Sequence, residues 1–80
     1  MTERSDEECV RQCLGGDRKA FDALVERHHR TVYNVALRMM RDPDEAADIT
    51  QSVFVKVYEK LGSFDERYKF FSWLYRIAVN

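Results

Sequence analysis

The sequence predicts an all-α fold, a compact bundle of about four helices, and three observations carry that expectation. Apolar residues recur at helical spacing; three Gly and one Pro are all that interrupt 80 residues; and these few breakers fall where helix ends belong. Ser5 followed by Glu8 has the spacing of a capping box, and Gly15-Gly16 supplies a left-handed stop, so the first helix covers about 6–14. Asp17 caps a second helix reaching about Met40, whose stripe of Phe21, Leu24, Val25, His28, Val32, Val35, Ala36 and Met39 forms the core seam. Pro43 breaks the chain, and Asp42 or Asp44 caps a third helix ending near Leu61, with Gly62 just beyond it. Residues 63–68 carry no apolar periodicity and read as a loop. A last helix begins near Lys69 and is still in phase through Phe70, Trp73, Leu74, Ile77 and Ala78 when the sequence ends at Asn80, the pattern expected of a fragment of a longer chain.

Composition limits the function classes. A chain of 80 residues with 45% apolar side chains builds one modest core, which excludes a two-domain enzyme. Net charge −1 excludes a wholly basic nucleic-acid binder, so any such surface is a local patch. The charge segregates nonetheless: −2 over residues 1–16, +3 over 17–41, −3 over 42–61 and +1 over 62–80. No apolar run exceeds three residues, far short of the roughly 20 that span a bilayer. The acidic N-terminus, with Glu3, Asp6, Glu7 and Glu8, is no secretory signal, so the expected compartment is cytoplasmic, without direct membrane insertion. Cys9 and Cys13, four apart, share a helix face and are expected to remain reduced thiols.

Three faces are left over once the core is assigned. On the third helix Asp48, Gln51, Ser52, Val55 and Glu59 lie opposite the apolar half. Val55 among polar neighbours reads as a docking surface, although a solvated face with one incidental valine has the same pattern. On the last helix Lys69, Ser72, Arg76 and Asn80 form a narrow polar strip flanked by Trp73 and Tyr75, and Phe64, Arg67 and Tyr68 extend that composition into the loop. Rings, cations and amides together are what an unstacked base and its phosphate require; the alternative is that the rings are simply core. Along the second helix Arg27, Arg30, Asn34, Arg38 and Arg41 make a row that holds a phosphate backbone or is merely solvated.

No phosphate loop, HExxH or nucleophile motif occurs, so neither catalysis nor a cofactor is expected. Cys9, Cys13, His28 and His29 define a conceivable zinc set, but their spacing fits no familiar structural zinc pattern.

The segments DEAADITQSVFVKVYEKLGSF, residues 44–64, and FFSWLYRIAVN, residues 70–80, resemble region 2 of extracytoplasmic-function (group 4) sigma factors, and GDRKAFDALVERH, residues 16–28, looks like the start of the same domain. The resemblance implies a bacterial transcription initiation factor domain over residues 1–80 that is not itself an enzyme. It implies docking on the β′ clamp coiled coil of RNA polymerase through Asp48 and Gln51, on the face that also holds Val55 and, where the family commonly has Glu, Ser52. It further implies recognition and melting of the promoter minus-ten element, with a base of the non-template strand flipped into a pocket. Phe64, Arg67, Tyr68, Lys69 and Phe70 fall at or near that pocket, and Trp73, Arg76 and Asn80 fall along the helix. An anti-sigma factor is the implied inhibitor, and the region 4 helix-turn-helix domain of full-length members is not part of this sequence. The competing reading is a helical protein-interaction module without DNA binding.

Overall fold

The computed structural model describes residues 4–80; Glu3, counted above in the acidic N-terminus, lies outside them. Four helices follow one another: α1 Asp6–Leu14, α2 Arg18–Met40, α3 Pro43–Lys60 and α4 Phe70–Val79, with a single 3-10 turn, Leu61–Ser63, after α3. No strand occurs among the described residues.

Each of the first three helices begins where a short oxygen-bearing side chain accepts the leading amides. Ser5 Oγ accepts the Glu8 N–H at 3.1 Å, and Asp17 Oδ1 accepts the Lys19 N–H at 3.0 Å. Asp42, rather than Asp44, caps α3, taking the Asp44 and Glu45 N–H groups at 2.9 and 3.4 Å with Pro43 in the first turn. The stop after α1 is a Schellman arrangement in which the left-handed residue is Gly16 (φ 109°), not Gly15. The Asp17 N–H reaches Gln12 O and the Gly16 N–H reaches Cys13 O, both at 3.0 Å. Between α2 and α3 the chain reverses in two residues, with Arg41 in the left-handed region (φ 56°) donating its N–H to Leu37 O at 2.7 Å.

The α2–α3 hairpin is the body of the fold. Leu24 and Val32 on α2 face Val53, Phe54 and Val57 on α3; Cys9 and Val10 of α1 close one side, and Leu61, Phe70 and Leu74 complete the core. Thr50, which the apolar pattern left unassigned, is also buried. Its hydroxyl donates to Ala46 O at 2.7 Å, so no polar group is stranded and its methyl group packs as an apolar one.

One seam assignment, that of Met39, differs from the pattern, and two residues of the apolar half of α3 are exposed as well. Met39 is 57% exposed, and Ala47 and Tyr58 are exposed on α3. The side chains of α1 and α4 meet α2 at Arg27 and His28, about three turns before Met39, which leaves the last turn of α2 covered only from one side. Tyr58 retains an edge-on contact with Phe21, ring centroids 5.0 Å apart. His28 packs at the seam as expected: its ring lies 5.5 Å from that of Phe70, and its Nε2 is 3.0 Å from Asp6 Oδ2.

A left-handed arginine is strained by its Cβ, whereas glycine there is not. Arg41→Gly is therefore expected to raise stability by about 0.5 kcal/mol, the relief of strain less the added freedom of the unfolded chain. Urea unfolding checks this: the midpoint rises at constant m value, and a lowered midpoint contradicts the account.

Candidate nucleic-acid interface and docking face

The loop between α3 and α4 is built on Asp65. Its Oδ1 accepts the Arg67 N–H at 2.9 Å, its carbonyl accepts the Tyr68 N–H at 3.0 Å, and its carboxylate takes Arg67 Nε and Nη2 at 2.9 and 2.6 Å. These bonds wind residues 65–68 into a tight turn and fold the Arg67 side chain back along it, leaving Tyr68 63% exposed at the tip. The guanidinium holds the Asp65 carboxyl below the usual aspartate range, and the carboxylate in turn raises Arg67.

An aromatic cluster fixes the turn to α4. The Phe64 ring is edge-on to Phe70 at 5.5 Å and tilted against Trp73 at 5.3 Å, with Phe70 and Trp73 5.8 Å apart. Phe70 is only 1% exposed and Phe64 half-buried, so these two rings form the support of the loop rather than its open surface. In front of them Tyr68, Trp73 and Arg76 line a pocket of about 260 Å³ with Ser63, Asp65 and Ser72. Trp73 and Arg76 also form one wall of a second cleft of about 510 Å³, shared by Ile77 and Asn80 of α4 and Lys56, Glu59 and Lys60 of α3.

The structure thus brings Tyr68, Trp73 and Arg76 to one cavity and Trp73, Arg76 and Asn80 to its neighbour. Arg67 and Lys69 are exposed beside them, and Phe70 lies beneath. The sequence reading did not find Asp65, Ser63, Lys56 and Lys60. Lys56 and Lys60 were hidden by summing charge over the whole third helix, although they sit at i and i+4 in its last turns, away from its acidic start.

The face of α3 opposite the core carries Asp48, Gln51, Ser52 and Val55, all exposed, with Val55 at 53%. Gln51 and Val55 stand at the lip of a largely apolar groove of about 530 Å³ floored by Phe54 and Thr50 and walled on the α2 side by Phe21, Val25 and His29. His29 stacks parallel to Phe54, centroids 6.4 Å apart. A single-helix pattern cannot reveal such a groove, because it exists only in the register of two helices.

The arginine row on α2 is shortened, while the two cysteines are free thiols as expected. Arg27 is drawn toward α1, where Asp6 Oδ1 accepts from its Nη1 at 3.2 Å, so the arginine row on α2 is exposed only from Arg30 onward. Cys9 is buried in the core and Cys13 is a half-buried free thiol, its pKa raised first by burial and then by Asp17. His28 faces Asp6 and His29 faces Phe54, and among the described residues no three His, Cys, Asp or Glu side chains converge as metal ligands. No helix among the described residues is long and apolar enough to cross a membrane.

Comparison with known proteins gives the family of the chain. The family model described as Sigma-70 region 2 matches residues 24–80. The RNA polymerase sigma-H factor of Pseudomonas aeruginosa is 38% identical over 80 residues, the whole of this chain and 42% of that protein. The ECF RNA polymerase sigma factor SigW of Bacillus subtilis is 39% identical over 71 residues, 89% of this chain and 38% of that protein. The ECF RNA polymerase sigma-E factor of Escherichia coli K12 is 40% identical over 76 residues, 95% of this chain and 39% of that protein. The chain therefore spans about two fifths of the length of these relatives.

The Asp65–Arg67 turn yields a pH prediction. A carboxyl whose folded pKa is depressed contributes order that is present above the ordinary aspartate pKa and is lost as pH falls through the lower, folded value. In an NMR titration Asp65 is expected to titrate below the ordinary aspartate range, with the Arg67 Nε–H signal broadening over the same acid range. Arg67→Ala returns Asp65 to the usual range, and an unmoved Asp65 in that variant contradicts the assigned cause.

Proposed function

Because the chain belongs to the sigma-70 region 2 family, of the ECF type, we propose that it docks on RNA polymerase through α3 and opens promoter DNA through the loop and α4. The observation that carries this reading is the convergence of Tyr68, Trp73 and Arg76 on one small cavity, with a cationic cleft beside it. Pockets for drug-sized ligands start at about 300 Å³, so a cavity of about 260 Å³ has room for a single planar base. A base unstacked from the non-template strand of the minus-ten element is such a ring. Tyr68 and Trp73 supply stacking faces, Ser63, Asp65 and Ser72 supply hydrogen-bonding groups for the base edge, and Arg76 meets the adjoining phosphate. Lys56, Lys60 and Lys69 continue the phosphate track, and Asn80 reads a base edge at the far end.

Magnitudes explain why docking accompanies opening. Extracting a base costs a few kcal/mol, and stacking it on an aromatic side chain returns about 1–3 kcal/mol. The two nearly cancel, so binding to polymerase supplies the surplus by holding the domain at the promoter. Asp48, Gln51, Ser52 and Val55 form the proposed contact with the β′ clamp coiled coil, with the apolar groove beside Gln51 and Val55 adding buried area. An anti-sigma factor covering this face would keep the domain from polymerase. The work is done entirely by binding energy, in the compartment where polymerase operates, the cytoplasm, without cofactor or enzymatic step. A protein-interaction module without DNA binding would have no use for the ring-sized pocket or the cationic cleft.

Two outcomes test the two halves. Asp48→Ala or Gln51→Ala is expected to weaken binding to the clamp fragment by about 2 kcal/mol where the residue is a desolvated anchor, and by near zero where it lies at the rim. Unchanged affinity in both folded variants moves the docking face elsewhere. For DNA, labelled single strands of minus-ten and scrambled sequence are titrated at two salt concentrations with the clamp fragment present. Arg76→Ala is expected to weaken both strands and to lower the salt slope by roughly 0.7. Asn80→Ala is expected mainly to erode the preference between them. Equal binding of both strands by the unaltered chain rejects the recognition claim.

A further inference from the structure

The helix assigned to strand binding has no cap of its own. Lys69 occupies the N-cap of α4 and its side chain makes no capping hydrogen bond, whereas Ser5, Asp17 and Asp42 each accept amide hydrogens from the helices they begin. A lysine there also sets a cation at the positive end of the helix dipole. The missing acceptor comes from the other end of the chain: Glu7 on α1 places Oε2 3.3 Å from the Phe70 N–H, which donates to it. Arg11, one turn further along α1 and on the same face, pairs with Glu66 in the loop. Asp6, next to Glu7, is the acceptor for Arg27 and His28 of α2. Helix α1 is therefore tied to α2 through Asp6 and grips both the loop and the first turn of α4 through Arg11 and Glu7.

We infer that Glu7 is a positioning residue for strand recognition, and that α1 braces residues 65–72 so that Tyr68, Trp73 and Arg76 are in their binding arrangement before a strand arrives. The inference rests on the strand-binding reading given above. Without the brace the first turn of α4 frays, only a fraction of molecules is competent, and the apparent dissociation constant rises by the inverse of that fraction. A lost cap corresponds to about a five-fold effect.

The test compares the unaltered 80-residue chain with Glu7→Ala and Glu7→Gln. Amide hydrogen exchange is expected to quicken about five-fold at Phe70, Phe71 and Ser72 in Glu7→Ala while the amides of Val53 to Val57 in α3 keep their rates, and Glu7→Gln, which retains an oxygen at the same reach, restores much of the protection. Affinity for the minus-ten strand falls by about the same factor, and affinity for the clamp fragment stays constant. A merely structural loss would quicken α3 and α4 alike and would weaken both ligands. Glu7→Asp keeps the charge and shortens the reach, giving the same comparison should the alanine variant not fold. Unchanged exchange at Phe70 to Ser72, or a uniform rise through α3, overturns the brace. An unaltered chain that does not prefer the target strand overturns the function instead, and the exchange pattern, which needs no DNA, tells the two failures apart.

Discussion

The burial of the Phe70 ring is the contact on which the arrangement of the whole interface depends. Its ring lies within 6 Å of His28 on α2, Phe64 in the loop and Trp73 on α4, and its own amide is held by Glu7 of α1. Removing such a ring typically costs 3–5 kcal/mol. A domain of 80 residues has roughly 4–12 kcal/mol in total, so one side chain accounts for a large share of what keeps α4 in place. The same contact sets the direction in which α4 leaves the loop. Trp73, three residues on, then packs at a tilt against Phe64 and lines both clefts.

Near-neutrality of the chain conceals two separate electrostatic sites on one helix. Asp44 and Glu45 stand at the start of α3 and Lys56 and Lys60 at its end. Sixteen residues of helix separate Asp44 from Lys60, about 24 Å, which is some three screening lengths at physiological salt. Each end therefore acts on its own surroundings, and the acidic half does not cancel the cationic half. The price is the absence of long-range attraction for DNA at net charge −1, which fits a domain that reaches its target on a larger partner rather than by its own field.

Helix boundaries were legible because the signals that set them are local. Ser5, Asp17 and Asp42 cap the helices they precede, and Pro43 and Gly16 act within one turn of where they stand. Face assignments were legible where a helix is covered along its length, as with the exposure of Asp48, Gln51, Ser52 and Val55. They failed at Met39, where cover depends on how far α1 and α4 extend along α2, and at Thr50, where a hydroxyl satisfied within its own helix lets a polar residue pass into the core. The loop was recognisable as a loop, but not its construction around Asp65, since an aspartate in a polar segment carries no mark of the turn it will close. The bond between Glu7 and Phe70 spans 63 residues and leaves no periodic trace in either segment.

Trp73 and Arg76 belong to both clefts, and this shared wall has a consequence for how a strand would lie. From Ser72 to its C-cap Asn80 the polar strip of α4 spans nine residues, about 12 Å, the length of three to four stacked base steps. A strand following it would keep its stacking along the α3–α4 cleft and lose it at the wall, where the next base meets the ring-sized pocket in the loop. Arg76, facing both sides, is placed to hold the phosphate at which the path turns, so that the backbone contact and the base contact form at one step. On the proposed reading, entry of the base is then coupled to the track beside it rather than independent of it, and a base that does not fit the pocket weakens the hold of the cleft as well. On that reading a short element would be recognised as a unit by a helix less than three turns long, with the loop pocket taking the extruded base.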